Sequence, residues 1–207
     1  MLNIAVFGSG RGSNFQAILT AIQQGIISEA SVCLVLSNNS GAGLLEIARA
    51  NGIPAVHMSR KNFLGEEEYV DALLDILHRH GTNFIALAGY MKQVPSRVIS
   101  TYRDRILNIH PALLPRFGGK GMYGIHVHEA VIAAGESVSG ATVHLVDEEY
   151  DRGPIVLQRT VPVSPGETPE TLAAKVLQIE HTLYPEALRL FAAGRIVIHH
   201  RTVTILP

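Results

Sequence analysis

The sequence predicts an α/β fold: a doubly wound, mostly parallel sheet with helices on both faces, followed by a long C-terminal helix and a hairpin. Short apolar runs at 3–7, 32–36, 54–57 and 84–88 alternate with helical patterns at 14–22, 43–50 and 66–80. That alternation is the signature of strand–helix–strand crossovers, which build parallel sheets covered on both sides. The pattern changes past residue 140, where two strands at 140–146 and 155–162 follow one another with only an acidic loop between them.

Each element has a local cause. The first strand, 3–7, ends at Gly8-Ser9-Gly10-Arg11-Gly12-Ser13, and Phe15, Ile18, Leu19 and Ile22 then recur at helical spacing. The second, 32–36, reads as buried and stops at Ser37-Asn38-Asn39-Ser40-Gly41. The 43–50 helix ends at Asn51-Gly52, and 54–57 opens the next strand. In the 66–80 helix, Leu73, Leu74 and Leu77 form the packing stripe. Apolar 84–88 runs into the loop Gly89-Tyr90-Met91-Lys92-Gln93-Val94-Pro95. In 106–110, Asn108 and His110 project to one face, because side chains two apart in a strand do so. Pro111 then ends the strand at the histidine. The stretch Arg116 to Gly124 is too glycine-rich for regular structure and reads as a mobile loop leading to a short helix that ends at Ala134. A helix over 168–193 has Pro169 near its start and Gly194 after its end, and strands at 196–199 and 202–205 make a closing hairpin around His200-Arg201.

Composition narrows the function classes. A chain of 207 residues, 47% hydrophobic, fits a single domain with an ample core. A net charge of −1 lacks the basic footprint of a nucleic-acid surface. The lone Cys33, in an apolar run, excludes an intramolecular disulfide and reads as a small buried core residue in a reducing compartment. No apolar run reaches membrane-spanning length and no signal peptide is evident, so a cytoplasmic location is expected. His126 and His128, two apart, do not share a helix face, so no metal site is expected there.

In parallel sheets ligands bind at the carboxyl ends of the strands. The 8–13 loop, the 89–94 loop and Asn108 with His110 are therefore expected on one rim. The first loop joins a strand to a helix, where glycines admit an anion close to the backbone and helix N–H groups face it. It matches neither a dinucleotide fingerprint nor a Walker loop, and Ser37-Asn38 brings no acid for a ribose diol. A single phosphate remains, with Ser13 and Asn14 as extra donors and Arg11 as countercharge, against the plainer alternative of an unliganded turn. Asn108 and His110 suit polarising a carbonyl and moving a proton; the plainer alternative is a polar strand end.

Four motifs occur in order: Gly10-Arg11-Gly12-Ser13-Asn14-Phe15-Gln16, Ala88-Gly89-Tyr90-Met91, Asn108-Ile109-His110-Pro111-Ala112-Leu113-Leu114-Pro115 and Asp151-Arg152-Gly153-Pro154. Together they resemble the phosphoribosylglycinamide formyltransferases, folate-dependent enzymes of purine biosynthesis, over almost the whole chain. The resemblance implies a Rossmann-like formyltransferase fold in one domain, 1–207, with a phosphate-binding half to about residue 100 and a catalytic and folate-binding half beyond. It implies that Asn108 holds the formyl oxygen of 10-formyltetrahydrofolate, that His110 is the general acid/base, and that Asp151 raises the histidine's pKa and positions water. Gly12, Ser13 and Asn14 would grip the phosphate of glycinamide ribonucleotide, and Glu180 its ribose-glycinamide part. Met91, Lys92, Gln93, Val94, Asn108, Val146 and Asp147 would line the folate site. No metal, ATP, nucleic acid or membrane is implied, and the protein would be a monomer or homodimer.

The chain departs from the family pattern at Glu66, where several members carry an arginine for the folate's acidic tail; Arg60 or Lys61 would have to substitute. Arg11 also replaces a frequent asparagine at a solvent-facing position. Rival readings are a methionyl-tRNA formyltransferase, which needs a further C-terminal domain and a basic surface, and a formyltetrahydrofolate hydrolase, which carries an N-terminal regulatory domain. A non-catalytic sugar-phosphate module is the alternative from another class, disfavoured by intact Asn108, His110 and Asp151.

Overall fold

The computed structural model describes residues 1–207. The first strand, β1 (Leu2–Phe7), pairs in parallel with β2 (Ala30–Ser37) and β4 (Phe84–Leu87), and β2 pairs in parallel with β3 (Ala55–His57). Its residues Ile4, Ala5, Val6 and Phe7 are fully buried, as a central strand covered on both faces requires. Strands β5 (Ile106–His110), β6 (Val138–Leu145) and β7 (Ile155–Pro162) complete a seven-stranded sheet ordered β3-β2-β1-β4-β5-β6-β7, and β6 and β7 are antiparallel. The predicted mostly parallel sheet is what forms.

The helices are α1 (Ser13–Gln23), α2 (Gly43–Ala50), α3 (Glu66–Arg79), α4 (Ser96–Thr101), α5 (Ile125–Ala133) and α6 (Pro169–Ala192). On α1, Phe15 and Ile18 are completely buried, which stabilises the helix by about 1.5–3 kcal/mol per side chain. The long α6 begins at a capping box between Thr168 and Thr171 with proline in its first turn. It continues through Pro185 because Leu183, Tyr184, Ala187 and Leu188 around it are buried, and their packing outweighs the missing backbone bond. The antiparallel hairpin β8 (Ile196–His199) and β9 (Thr202–Ile205) forms its own two-stranded sheet, as predicted.

Two elements escaped the sequence reading. Helix α4 is six residues long, too short to show a period, and a 3-10 turn spans Arg60–Asn62. The expectation for Cys33 is corrected: β2 is fully buried only over its second half, and Cys33 is half-buried with Sγ 3.4 Å from Thr82 Oγ1. Burial still pushes its thiol pKa up, against the Thr82 hydrogen bond, so it is a poor nucleophile. By internal contacts the chain divides into two compact units, Met1–Leu107 and Asn108–Pro207.

Candidate active site

In the first unit, parallel pairing of Phe7 with Leu87 sets the loops after β1 and β4 side by side. Ser9 joins them: its N–H donates to the Gly89 carbonyl at 3.0 Å, and its hydroxyl accepts from Met91 N–H at 2.9 Å. Tyr90 lies edge-on to Phe7 with ring centroids 5.5 Å apart, and its hydroxyl is 3.4 Å from that of Tyr69. Met91, Lys92 and Gln93 are exposed, whereas Val94 is buried.

The glycines of the 8–14 loop do different jobs. Gly12 is the N-cap of α1 with φ 87°, and a Cβ there would stand 2.6 Å from Leu44 Cβ. Packing against Leu44 by itself requires glycine at this position. Gly10, in contrast, has open space where a Cβ would go. Helix α1 has no side-chain cap hydrogen bond and no acid in its first turn, so the positive end of its dipole is not offset by a carboxylate of its own. Arg11 is exposed, as expected.

The second unit gathers the other candidates. Thr142, fully buried on β6, donates to the Ala112 carbonyl at 2.6 Å and accepts from Leu114 N–H at 3.1 Å. Gln158 Nε2 binds both Thr142 Oγ1 and the Leu114 carbonyl, so β6 and β7 together pin the segment after His110. His110 is 3% exposed, and its Nε2 donates to the Phe117 carbonyl at 2.8 Å. Its Nδ1 stands 3.6 Å from Asp151 Oδ2. Asp151 takes left-handed backbone, φ 56°, a conformation that aspartate tolerates better than most residues. Its Oδ2 also accepts from Gly119 N–H at 2.8 Å. Gly118 lets the loop lie this close: a Cβ there would sit 3.0 Å from Asp151 Cβ and 2.5 Å from Leu114 Cδ2. The stretch 116–124 has no regular structure, as predicted, but its first residues are tied to both His110 and Asp151 rather than free.

Sequence reasoning missed His144. It is 2% exposed on β6, with Nε2 3.1 Å from Asn108 Nδ2 and 3.5 Å from Asp151 Oδ1. Its Nδ1 donates to the Leu145 carbonyl at 2.8 Å, which fixes the ring so that Nε2 faces Asn108 and Asp151. The Asn108 amide therefore turns its NH2 towards His144, commits one N–H there, and keeps the second as a donor. The signal was a histidine among the apolar residues of an otherwise buried strand.

Burial pushes the His110 imidazole below its ordinary pKa; Asp151 and the Phe117 carbonyl pull it up, but by less. Asp151 acts in the expected direction, raising this pKa, but desolvation outweighs it. Burial alone would raise the Asp151 pKa, yet His144, His110 and the Gly119 N–H together hold it below the usual carboxylate range. The site at rest is a neutral imidazole beside a carboxylate. His126 and His128 diverge as the spacing implied: His126 is exposed and pairs with Glu129 at 3.0 Å, while His128 is buried.

The remaining candidates lie apart in kind. Glu180 is buried mid-way along α6, and Val146 and Asp147 are half-buried at the end of β6. Arg60 does not stand free to replace the missing arginine, because its guanidinium pairs with Glu66 at 2.9 Å. No helix is long and apolar enough to cross a membrane.

The sequence profile of the formyl transferase family matches residues 2–188. A chloroplastic phosphoribosylglycinamide formyltransferase of Arabidopsis thaliana is 45% identical over 93% of this chain and 66% of its own length. The phosphoribosylglycinamide formyltransferase of Haemophilus influenzae is 38% identical over 95% of this chain and 90% of its own. A crystal structure of glycinamide ribonucleotide transformylase 1 from Symbiobacterium toebii superimposes with TM-score 0.93 at 42% identity, covering 100% of this chain and 95% of that one. The chain spans 66%, 62% and 14% of the first three curated relatives it matches, the longest of them a trifunctional protein. With the profile matching most of its length and a bacterial relative covered almost end to end, the chain belongs to the formyl transferase family, among the phosphoribosylglycinamide formyltransferases.

Proposed function

We propose that the protein transfers the formyl group of 10-formyltetrahydrofolate to the amine of N1-(5-phospho-D-ribosyl)glycinamide in purine biosynthesis. The observation that carries this reading is the cluster in which half-buried Asn108 and Asp151 meet the buried His110 and His144. Formyl transfer needs an amine to attack the formyl carbon, giving an oxyanion and an ammonium proton to be removed. The second N–H of Asn108 meets the oxyanion; one such donor is worth about 3–4 kcal/mol of barrier. His110, uncharged at neutral pH, takes the proton, and Asp151 stabilises the resulting imidazolium. Proton transfer then returns it to the departing folate nitrogen. Nε2 donates to the Phe117 carbonyl at rest; when the glycine-rich loop releases it, its hydrogen moves to Nδ1 on the Asp151 side, and the freed Nε2 lone pair takes the ammonium proton.

The other roles follow the family resemblance. Ser13 and Asn14 donate to the substrate phosphate from the uncapped start of α1, beside Gly12, and Glu180 holds the ribose-glycinamide part. Met91, Lys92, Gln93, Val94, Val146 and Asp147 contact the folate. A direct assay decides: purified protein, glycinamide ribonucleotide and 10-formyltetrahydrofolate without ATP should give formylglycinamide ribonucleotide and tetrahydrofolate. Phosphate-dependent binding of the ribonucleotide with no formyl transfer would leave a binding module instead.

A further inference from the structure

The C-terminal hairpin reaches the loop that carries Asp151. Arg201, in the turn between β8 and β9, places Nη2 2.9 Å from Asp147 Oδ2, and the same nitrogen donates to the Arg152 carbonyl. Asp147 lies on the leg of this loop that leaves β6, and Arg152 on the leg that returns to β7 directly after Asp151. One guanidinium therefore ties both legs together.

Within the loop the other ties are few. Glu149 N–H donates to Asp147 Oδ1 at 3.0 Å, and Arg152 N–H reaches the Glu149 carbonyl only at 3.4 Å. The base is closed by Leu145 N–H on the Pro154 carbonyl at 2.9 Å, beside Gly153, where a Cβ would fall 1.7 Å from the Leu145 carbonyl oxygen. Between base and tip, Asp151 holds left-handed backbone. The hairpin is itself locked: it keeps register from Ile196↔Ile205 to His199↔Thr202, and Arg195 Nε and Nη2 clasp the Leu206 carbonyl at 2.8 and 2.6 Å. Arg201 thus stands at the tip of a stiff strut.

We propose that Arg201 is a positioning residue for formyl transfer: it braces the loop so that the Asp151 carboxylate stays against His110 and His144. This rests on the reading of Asp151 as the partner of His110. The side chain of Arg201 is 66% exposed, so its ion pair with Asp147 alone contributes little. What matters is that Nη2 has two N–H donors and serves a carboxylate and a carbonyl at once; a lysine ammonium falls one bond short of that position. Asp147, with one oxygen on Glu149 N–H and the other on Arg201, acts by shaping the loop.

The test compares the wild type with Arg201→Met and Arg201→Lys by amide hydrogen exchange and steady-state kinetics. Arg201→Met should speed exchange at Arg152 and Gly119, the latter bonded to Asp151, by about two- to fivefold, with the β1 and α1 amides unchanged. It should lower kcat by about three- to tenfold and leave the KM for the ribonucleotide as it was. Arg201→Lys should recover only part of the loss. Wild-type exchange at Gly119 and Arg152 in Arg201→Met overturns the brace, as does faster exchange with kcat unchanged. Faster exchange in a protein whose wild type transfers no formyl group keeps the brace and refutes the catalytic reading on which its consequence rests.

Discussion

The 8–14 loop of the first unit and the Asn108 cluster of the second both end a strand, yet they are built by opposite means. The loop is made of backbone: Gly8 and Gly12 press against Leu44, Ser9 links two turns, and α1 starts without a side-chain cap hydrogen bond. The cluster is made of buried side chains, each oriented by another: Asn108 by His144, His144 by the Leu145 carbonyl, and His110 by Phe117 and Asp151. A backbone site binds by shape and tolerates most side-chain changes outside its packing glycines. A networked site in low dielectric is sensitive to every member, because an orphaned buried polar group is costly. Substitutions should therefore separate binding from turnover according to the region they strike.

The largest effect is expected in the cluster. His110→Asn or Asp151→Asn should lower kcat by about 10²–10⁴-fold, while binding of the ribonucleotide, assigned to the other region, changes little. Asp151 raises the His110 pKa against burial, so Asp151→Asn should move it still lower in an NMR titration. The sign for stability follows from the same shift. A histidine whose folded pKa lies below its unfolded value of about 6.5 binds its proton more readily when unfolded. Its share of stability is complete above that value and is lost as pH falls from there towards the depressed folded pKa. His128 and His181 are lowered by burial too, so acid destabilisation should begin near pH 6 rather than in the carboxylate range. An unshifted His110 with near-normal turnover in Asp151→Asn would remove the role given to Asp151.

How much of this was legible varies with the source of each constraint. Strand and helix positions followed from apolar period and from punctuation by Gly, Pro and Asn, which are local; the 43–50 helix and both hairpin strands lie where the pattern put them. Asn108 and His110 were visible because a strand alternates and a proline ends it. His144 was not: its role depends on lying beside Asn108, thirty-six residues away in the chain, and no local pattern carries that. The sign of the His110 shift was equally out of reach, since a carboxylate partner can be guessed from a motif whereas 3% exposure cannot. The glycines of the first loop show the reverse error. Their spacing was readable, but whether each faces a ligand or Leu44 is a tertiary fact.

That ambiguity supplies the second way to sharpen the comparison. Gly12→Val should destabilise the fold by about 2–4 kcal/mol, through left-handed backbone and collision with Leu44, and so damage both substrates' kinetics together. Gly10→Val enters open space and should leave the urea midpoint within error, while raising the KM for the ribonucleotide about tenfold and sparing the folate KM. Equal KM changes for both substrates in a stable Gly10→Val protein would mean that no phosphate approaches this loop.

The smallest effect belongs to neither region but to the exposed pair Arg60–Glu66, where side chains are 66% and 59% exposed and the ion pair contributes about 0–1 kcal/mol. The resemblance implies an arginine for the folate's glutamate tail where this chain has Glu66, and Glu66 pairs with the nearby Arg60. The two effects are separable. Glu66→Gln removes the repulsion and frees Arg60; Glu66→Arg adds a second positive charge beside it. If the tail passes here, the KM for a polyglutamylated folate should fall by about twofold in Glu66→Gln and by up to about fivefold in Glu66→Arg at low salt. The gain should fade above about 0.15 M salt, where exposed charges are screened within roughly 8 Å. It should also shrink with the monoglutamate, which carries fewer charges. Adding Arg60→Ala to Glu66→Gln should then cancel the improvement, since no freed cation remains. A polyglutamate KM that ignores all three changes at low salt would place the tail elsewhere on the surface, and the loss of the family's arginine would carry no consequence for this chain.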